Sequence, residues 1–173
     1  MVYWGKTEIL TVEDDITKQD VDAIVNAANP SLTGGRGVDG AIHEKGGSQI
    51  LDECLEIRRK FWPNGLPPGY AVITNGGLLK ARYVIHTVGP IWKGGGWGEA
   101  KTLVECYNSC LTIVKEKGLN SVAFPPISTG YYGYPQNGAY TIAFDTVKKF
   151  CVEYQCPEKV VFASLSDWDY NRR

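Results

Sequence analysis

The chain has 173 residues, with 18 basic and 19 acidic side chains and a net charge of −1. That balance excludes a protein drawn to nucleic acid or another polyanion by overall charge. No apolar run approaches the roughly 18 residues of a membrane span, and 43% hydrophobic with 21% charged residues is ordinary globular composition that fits one domain over residues 1–173.

The amino terminus, MVYWGKTEIL, has no basic stretch before an apolar run, so no signal peptide is expected. Gly5-Lys6-Thr7 resembles the end of a P-loop, but only four residues precede it and the motif needs more. Short, β-branched apolar runs predict strands at residues 7–12, 22–26, 70–74, 82–87, 121–124 and 159–163. Their continuous rather than alternating character suits strands covered on both faces. Ile50, Cys54 and Leu55 predict a helix ending near Pro63. Ala100, Leu103, Val104, Tyr107, Leu111 and Val114 form a helical stripe, with Gly118 as its stop signal. Ala139, Ile142, Ala143, Val147, Phe150 and Cys151 form another. From residue 82 onward the order is strand, helix, strand, helix, strand, which predicts a parallel sheet with helices on both sides. Lys93–Gly98, KGGGWG, reads as a surface loop.

The cysteines are Cys54, Cys106, Cys110, Cys151 and Cys156, odd in number and without a C-x-x-C pair. They predict reduced, mostly buried thiols in a cytoplasmic protein. With two histidines far from any cysteine pair, no metal site is expected.

Ligands of open parallel sheets sit at the carboxyl ends of the strands, so the loops there carry the functional reading. Residues 29–40, NPSLTGGRGVDG, place glycines before a helix, where backbone N–H groups and the helix dipole favour phosphate. Gly35, Gly37 and Gly40 match G-x-G-x-x-G. Pro30 to Gly34 part them from the strand, however, and no acidic strand end follows about 20 residues later, as a dinucleotide fold requires. An ordinary tight turn would use the same residues. Residues 127–135, ISTGYYGYP, combine small residues with Tyr131, Tyr132 and Tyr134, able to meet a sugar or base or simply to cap the core. The carboxylates of 14–17, DDIT, can accept from an exocyclic amine, or cap a turn. Asp39 and His43 stand i and i+4 at a helix start, on one face, and Asn29 can fold back beside them. An amide, a carboxylate and an imidazole suit orientation of a hydroxyl and polarisation of a water. His86, in an apolar strand, reads as a satisfied core histidine.

Five segments, DIT at 15–17, VDAIVNAAN at 21–29, GGRGVDGAIH at 34–43, RYVIHTVGPIW at 82–92 and ISTGYYGYP at 127–135, together resemble the macrodomain pattern. Their order and spacing extend the resemblance over nearly the whole chain, and V-D-G-A-I-H is similar to the MacroD-type hydrolase branch. The resemblance implies a three-layer α/β/α fold with a six-stranded mixed sheet and a cleft for ADP-ribose. Asp15 would bind the adenine amine, with the Ile16 backbone beside it. The loop of Gly34, Gly35, Arg36, Gly37 and Val38, and that of Ser128, Thr129, Gly130, Tyr131 and Tyr132, would clasp the diphosphate and distal ribose. Asn29, Asp39 and His43 would form the catalytic group.

The implied activity is removal of ADP-ribose from acidic side chains and deacetylation of O-acetyl-ADP-ribose, with no metal or cofactor. The alternatives are a non-catalytic ADP-ribose reader and a phosphatase acting on ADP-ribose 1″-phosphate. The expected partners are ADP-ribose or ADP-ribosylated proteins, met by a monomer that engages neither membrane nor nucleic acid. Some positions depart from the family pattern. Arg36 replaces a usual glycine, Asp14 another, and Tyr131 a usual aliphatic residue. Residues 64–70 lack the usual Cys-Pro-Thr-Gly character. Leu165 stands where an aromatic often covers the adenine, with Trp168 as the candidate substitute.

Overall fold

A computed structural model of the chain describes residues 1–165. The strands are β1 (Val2–Trp4), β2 (Thr7–Glu13), β3 (Ala23–Ala27), β4 (Ala71–Asn75), β5 (Tyr83–Thr87), β6 (Ser121–Phe124) and β7 (Lys159–Ser164). The helices are α1 (Gly37–Gly46), α2 (Ser48–Phe61), α3 (Glu99–Glu116) and α4 (Gln136–Tyr154), with a 3-10 turn at Ile16–Lys18. The strands form one sheet in the order β1-β2-β7-β6-β3-β5-β4. β1 and β4 are antiparallel to their neighbours, and the five strands between them are parallel.

The sheet has seven strands where six were expected. The additional one is β1, a three-residue edge strand that turns at Gly5 and Lys6 into β2. Gly5 takes φ 61° there, so the segment that resembled a P-loop ending is a hairpin turn. The six expected strands all form, most of them displaced or extended by a residue at an end.

Alternation along the buried strands divides the core into two layers. On one face, Ala23, Val25, Ile85, Phe124, Val160 and Phe162 pack against α3 and α4. On the other, Ile24, Val84, Ala123 and Val161 meet Ile42 of α1 and Ile50 and Cys54 of α2. The stripe of α3 centres on Leu103, Cys106, Tyr107, Cys110, Leu111 and Val114, all buried, while Ala100 is exposed and Val104 half-buried. Leu55 of α2 is also exposed, so that helix buries Ile50 and Cys54 alone. All five cysteines are free thiols, four buried and Cys156 half-buried. Among the described residues no helix is long and apolar enough to cross a membrane.

The glycine-rich loop at residues 93–98 is more ordered than its composition implies. The Glu99 carboxylate, at the start of α3, accepts from the backbone N–H groups of Lys93, Gly95 and Trp97 at 2.7–3.0 Å. Burial alone would raise its pKa, but these N–H groups outweigh that effect and hold it at about 2. A carboxyl depressed in the folded state contributes stability that is present above its unfolded pKa and lost as pH falls through the folded value. The contribution of Glu99 to the loop is therefore expected to weaken progressively below pH 4.5, the ordinary glutamate value, and to be lost near pH 2. Glu99→Gln should open the loop at neutral pH, read as faster amide exchange and protease cleavage confined to residues 93–98.

Candidate active site

β6, β3 and β5 lie side by side and parallel, so the loops that follow them open at one end of the sheet. A cavity of about 610 Å³ lies there, lined by residues 27–29, 35–39, Gly89, 125–126 and 128–132. Its volume falls in the range of roughly 300–1,000 Å³ of small-molecule sites.

The loop after β3 is tied down along its length. The Asn29 amide donates to the Gly34 carbonyl at 2.8 Å and accepts from the Ser31 hydroxyl at 2.8 Å. Arg58 of α2 donates to the Ser31 carbonyl at 2.8 Å, and the Leu32 side chain is fully buried. The loop then folds so closely over α1 that a Cβ at Gly40 would collide with the Gly35 carbonyl oxygen. This approach accounts for a glycine within the helix's first turn. No side chain caps α1. Its first-turn N–H groups, which have no partner inside the helix, belong to the segment 37–39 that lines the cavity.

The loop after β6 is held by Thr129, whose hydroxyl donates to the Pro126 carbonyl at 2.8 Å, and by the Tyr134 N–H donating to the Ser128 carbonyl at 2.9 Å. Ser128 takes φ 68°, a left-handed conformation uncommon for a side-chain-bearing residue. Its buried hydroxyl has no hydrogen-bond partner among the described residues. Across the cavity mouth the Arg36 guanidinium lies 5.5 Å from the centre of the Tyr131 ring. This cation–π contact joins the two loops.

Asp39 is the buried charge of the site, 4% exposed. Its Oδ1 accepts from the Asn26 amide at 2.8 Å, and the carboxylate also accepts from the Asn29 backbone N–H. Burial raises its pKa despite these bonds and the nearby His43. Its Oδ2 points toward Gly35, 3.3 Å from where a Cβ on that residue would stand. Tyr132 faces it from the second loop; burial, and then the Asp39 charge, push the phenol pKa up.

The model of the Macro domain family matches residues 25–143. The chain belongs to the macrodomain family. It is 51% identical over 162 residues to a protein of Escherichia coli K12 named O-acetyl-ADP-ribose deacetylase, covering 94% of this chain and 90% of that one. It superposes on an Oceanobacillus iheyensis macrodomain with ADP, with a TM-score of 0.89, 44% identity and coverage of 94% and 85%. A Trypanosoma brucei macrodomain in complex with ADP-ribose gives a TM-score of 0.85 at 38% identity, covering 95% of this chain and 67% of that one.

Within this macrodomain the structure brings together Asn29, Gly35, Arg36, Gly37, Val38 and Asp39 with Ser128, Thr129, Gly130, Tyr131 and Tyr132 on one cavity wall or another. Four other predicted residues stand outside its lining. Asp15 caps the 3-10 turn and pairs with Lys45 at 2.6 Å. Burial opposes its ionisation, but bonds from Lys45 and Thr17 bring its pKa to about 2. Ile16 is buried in the core, and the Gly34 carbonyl holds Asn29. His43 packs its ring beneath Gly34. Its Nε2 is 3.5 Å from Asp39 Oδ1, and neither ring nitrogen makes a hydrogen bond among the described residues. Asn26, rather than His43, holds the carboxylate. Trp168 lies outside the described residues, and Leu165 is exposed.

Donor atoms of His43, Cys54 and His86 lie within 4.8 Å of one another, but two of the three are already engaged. Burial, with the charges of Asp39 and Glu53, pushes the Cys54 thiol up to about 12. Both His86 nitrogens are hydrogen-bonded. The set therefore reads as core packing rather than a ligand cage.

Two substitutions test this geometry. Gly40→Ala forces a methyl against the Gly35 carbonyl and should destabilise the fold by about 1–3 kcal/mol in chemical denaturation, as overpacking does. Arg36→Gly should uncouple the loops, accelerating amide exchange over residues 128–133 while leaving β6 unchanged. An exposed cation–π contact is worth about 0.5–1 kcal/mol, so the acceleration should be a few-fold.

Proposed function

We propose that this macrodomain binds ADP-ribose and hydrolyses its ester-linked derivatives, O-acetyl-ADP-ribose and mono-ADP-ribosyl glutamate or aspartate on proteins. The observation that carries the reading is the buried Asp39. One of its oxygens is tied down and the other turned toward Gly35, beside an uncapped helix start in a cavity of suitable size. Identity near 50% to deacetylases over most of both chains supports it.

In the proposed reaction a water held between Asp39 and Asn29 attacks the acyl carbon. Asp39 takes its proton as the new C–O bond forms. The tetrahedral intermediate collapses by breaking the bond to the ribose oxygen, which takes up a proton, so that water and ester become carboxylic acid and ADP-ribose. Backbone N–H groups at the start of α1 stabilise the developing negative charge, a contribution of about 3 kcal/mol per donor. The raised pKa of Asp39 makes it a stronger base than a free carboxylate. The Gly34–Val38 and Ser128–Tyr132 loops would clasp the diphosphate and distal ribose, with Asp15 and Ile16 toward the adenine. His43 would support the start of α1. We read the protein as a cytoplasmic monomer, consistent with its five free thiols.

A second reading, a reader that binds without hydrolysing, is favoured by one observation: the Arg36–Tyr131 contact across the cavity mouth. Acetate release from O-acetyl-ADP-ribose, with ADP-ribose calorimetry alongside, separates the two. Asp39→Ala should lower kcat by about 100-fold or more, the scale of a lost general base, with the Kd for ADP-ribose within about threefold. Equal losses of both would remove Asp39 from the chemistry. Activity of the wild type should fall on acidification through the raised Asp39 pKa, because only the carboxylate can accept the proton.

A further inference from the structure

Behind Asp39 runs a buried line of polar side chains that the proposed mechanism has not used. Asn26 on β3, His86 on β5 and Thr74 on β4 occupy one face of three adjacent strands, at 0%, 0% and 2% exposure. The Asn26 amide nitrogen lies 2.8 Å from Asp39 Oδ1 and 3.0 Å from His86 Nδ1. It has two protons and no lone pair to share, so one proton goes to each. His86 Nδ1 is then an acceptor, which places the ring proton on Nε2. That proton meets the Thr74 hydroxyl at 3.0 Å, and the hydroxyl donates onward to the Asn75 carbonyl at 3.0 Å. Every donor in the line has one acceptor. Full burial keeps the His86 imidazole neutral, its pKa depressed to about 3, so the tautomer does not change over the working pH range. Turning the amide over would set its oxygen against the carboxylate.

We propose that Asn26 is a positioning residue for the hydrolysis, oriented by His86 and Thr74 so that Asp39 Oδ1 is reserved as an acceptor and the catalytic proton is taken by Oδ2. The proposal rests on Asp39 as the base. It explains why a carboxylate is tolerated almost without solvent. A buried charge is costly unless hydrogen-bonded, and here the donor is itself fixed by a neutral imidazole. It also explains why His86 lies at the centre of an apolar layer, beside the Cys54 thiol at 3.7 Å. The amide oxygen of Asn26, buried and without a hydrogen bond among the described residues, is the cost of the orientation.

The test uses the full chain. The ionisable groups facing Asp39 are His43 on α1, Cys54 on α2 and Tyr132 in the second loop, with His86 behind Asn26. Asn26→Asp keeps the shape and replaces the donor by a second carboxyl. The pair should then share a proton, moving the acidic limb of the kcat profile up by about one pH unit or more. The fall in kcat at neutral pH should be at least about tenfold, with the Kd for ADP-ribose within about threefold. Thr74→Val removes the acceptor for the ring proton without touching the cavity, and should lower kcat several-fold at unchanged KM. A purely structural role predicts lower stability with an unshifted profile and unchanged kcat per folded molecule, and that outcome overturns the proposal. Nitrogen-15 spectra of the wild type supply a readout independent of turnover. The His86 Nε2–H tautomer, constant from pH 5 to 8 on the usual histidine titration range, is expected; an Nδ1–H or protonated ring overturns the relay. A wild type that releases no acetate overturns the hydrolase reading and the positioning role with it, leaving the tautomer to decide the relay alone.

Discussion

The position of β3 between β6 and β5 is the constraint on which the site depends. Because these strands are parallel and hydrogen-bonded in one register, their loops must emerge at the same end of the sheet. The two faces of β3 then serve different ends. Ala23 and Val25 pack into the layer under α3 and α4, while Ile24 and Asn26 face α1 and α2. A shift of one residue in β3 would exchange these sets, burying the amide of Asn26 among the aromatics of α3 and α4 and leaving Asp39 without its donor. Register, core packing and the state of the carboxylate are thus one requirement.

The electrostatics follow from that placement. Asp15, Asp39 and Glu99 are acids in or near the functional end, with different outcomes. Glu99 receives three backbone N–H groups and is held far below the usual range. Asp15 is lowered by a lysine and a threonine. Asp39 receives one side-chain amide and one backbone N–H, not enough to offset burial, so its pKa rises. The strongly stabilised carboxylates shape loops. The poorly stabilised one retains its basicity, which is the property a proton acceptor needs.

Much of this was legible in the sequence, for physical reasons. Continuous apolar runs announce doubly covered strands, and the glycine spacing at 35, 37 and 40 reports close backbone approach, as at Gly40 against Gly35. β1 was not legible, since three residues ahead of a glycine turn offer no period to count. Asn26 was hidden in an apolar run, where a single polar residue could face either layer. Only the pairing of β3 with β5, which sets Asn26 beside His86, gives it meaning. His86 reads as a satisfied core histidine from its apolar strand alone, but the groups that satisfy it, Asn26 and Thr74, are distant in sequence. The order of residues 93–98 likewise depends on the Glu99 side chain turning back on its own loop, an effect that composition does not encode. Arg36 and Tyr131, nearly a hundred residues apart, stood out separately, and their contact is a property of the folded chain.

The distribution of sulfur has a practical side. Four of the five thiols are buried, and Cys156 alone is half-buried. It lies just before β7 begins at Lys159, at the end of the parallel strands opposite the cavity. Cys156 also packs against the core beneath α4 and β7, so a maleimide dye should react there ahead of the four buried thiols, remote from the chemistry. That order of reactivity would let the unmodified sequence carry a single reporter without removing any cysteine from the core.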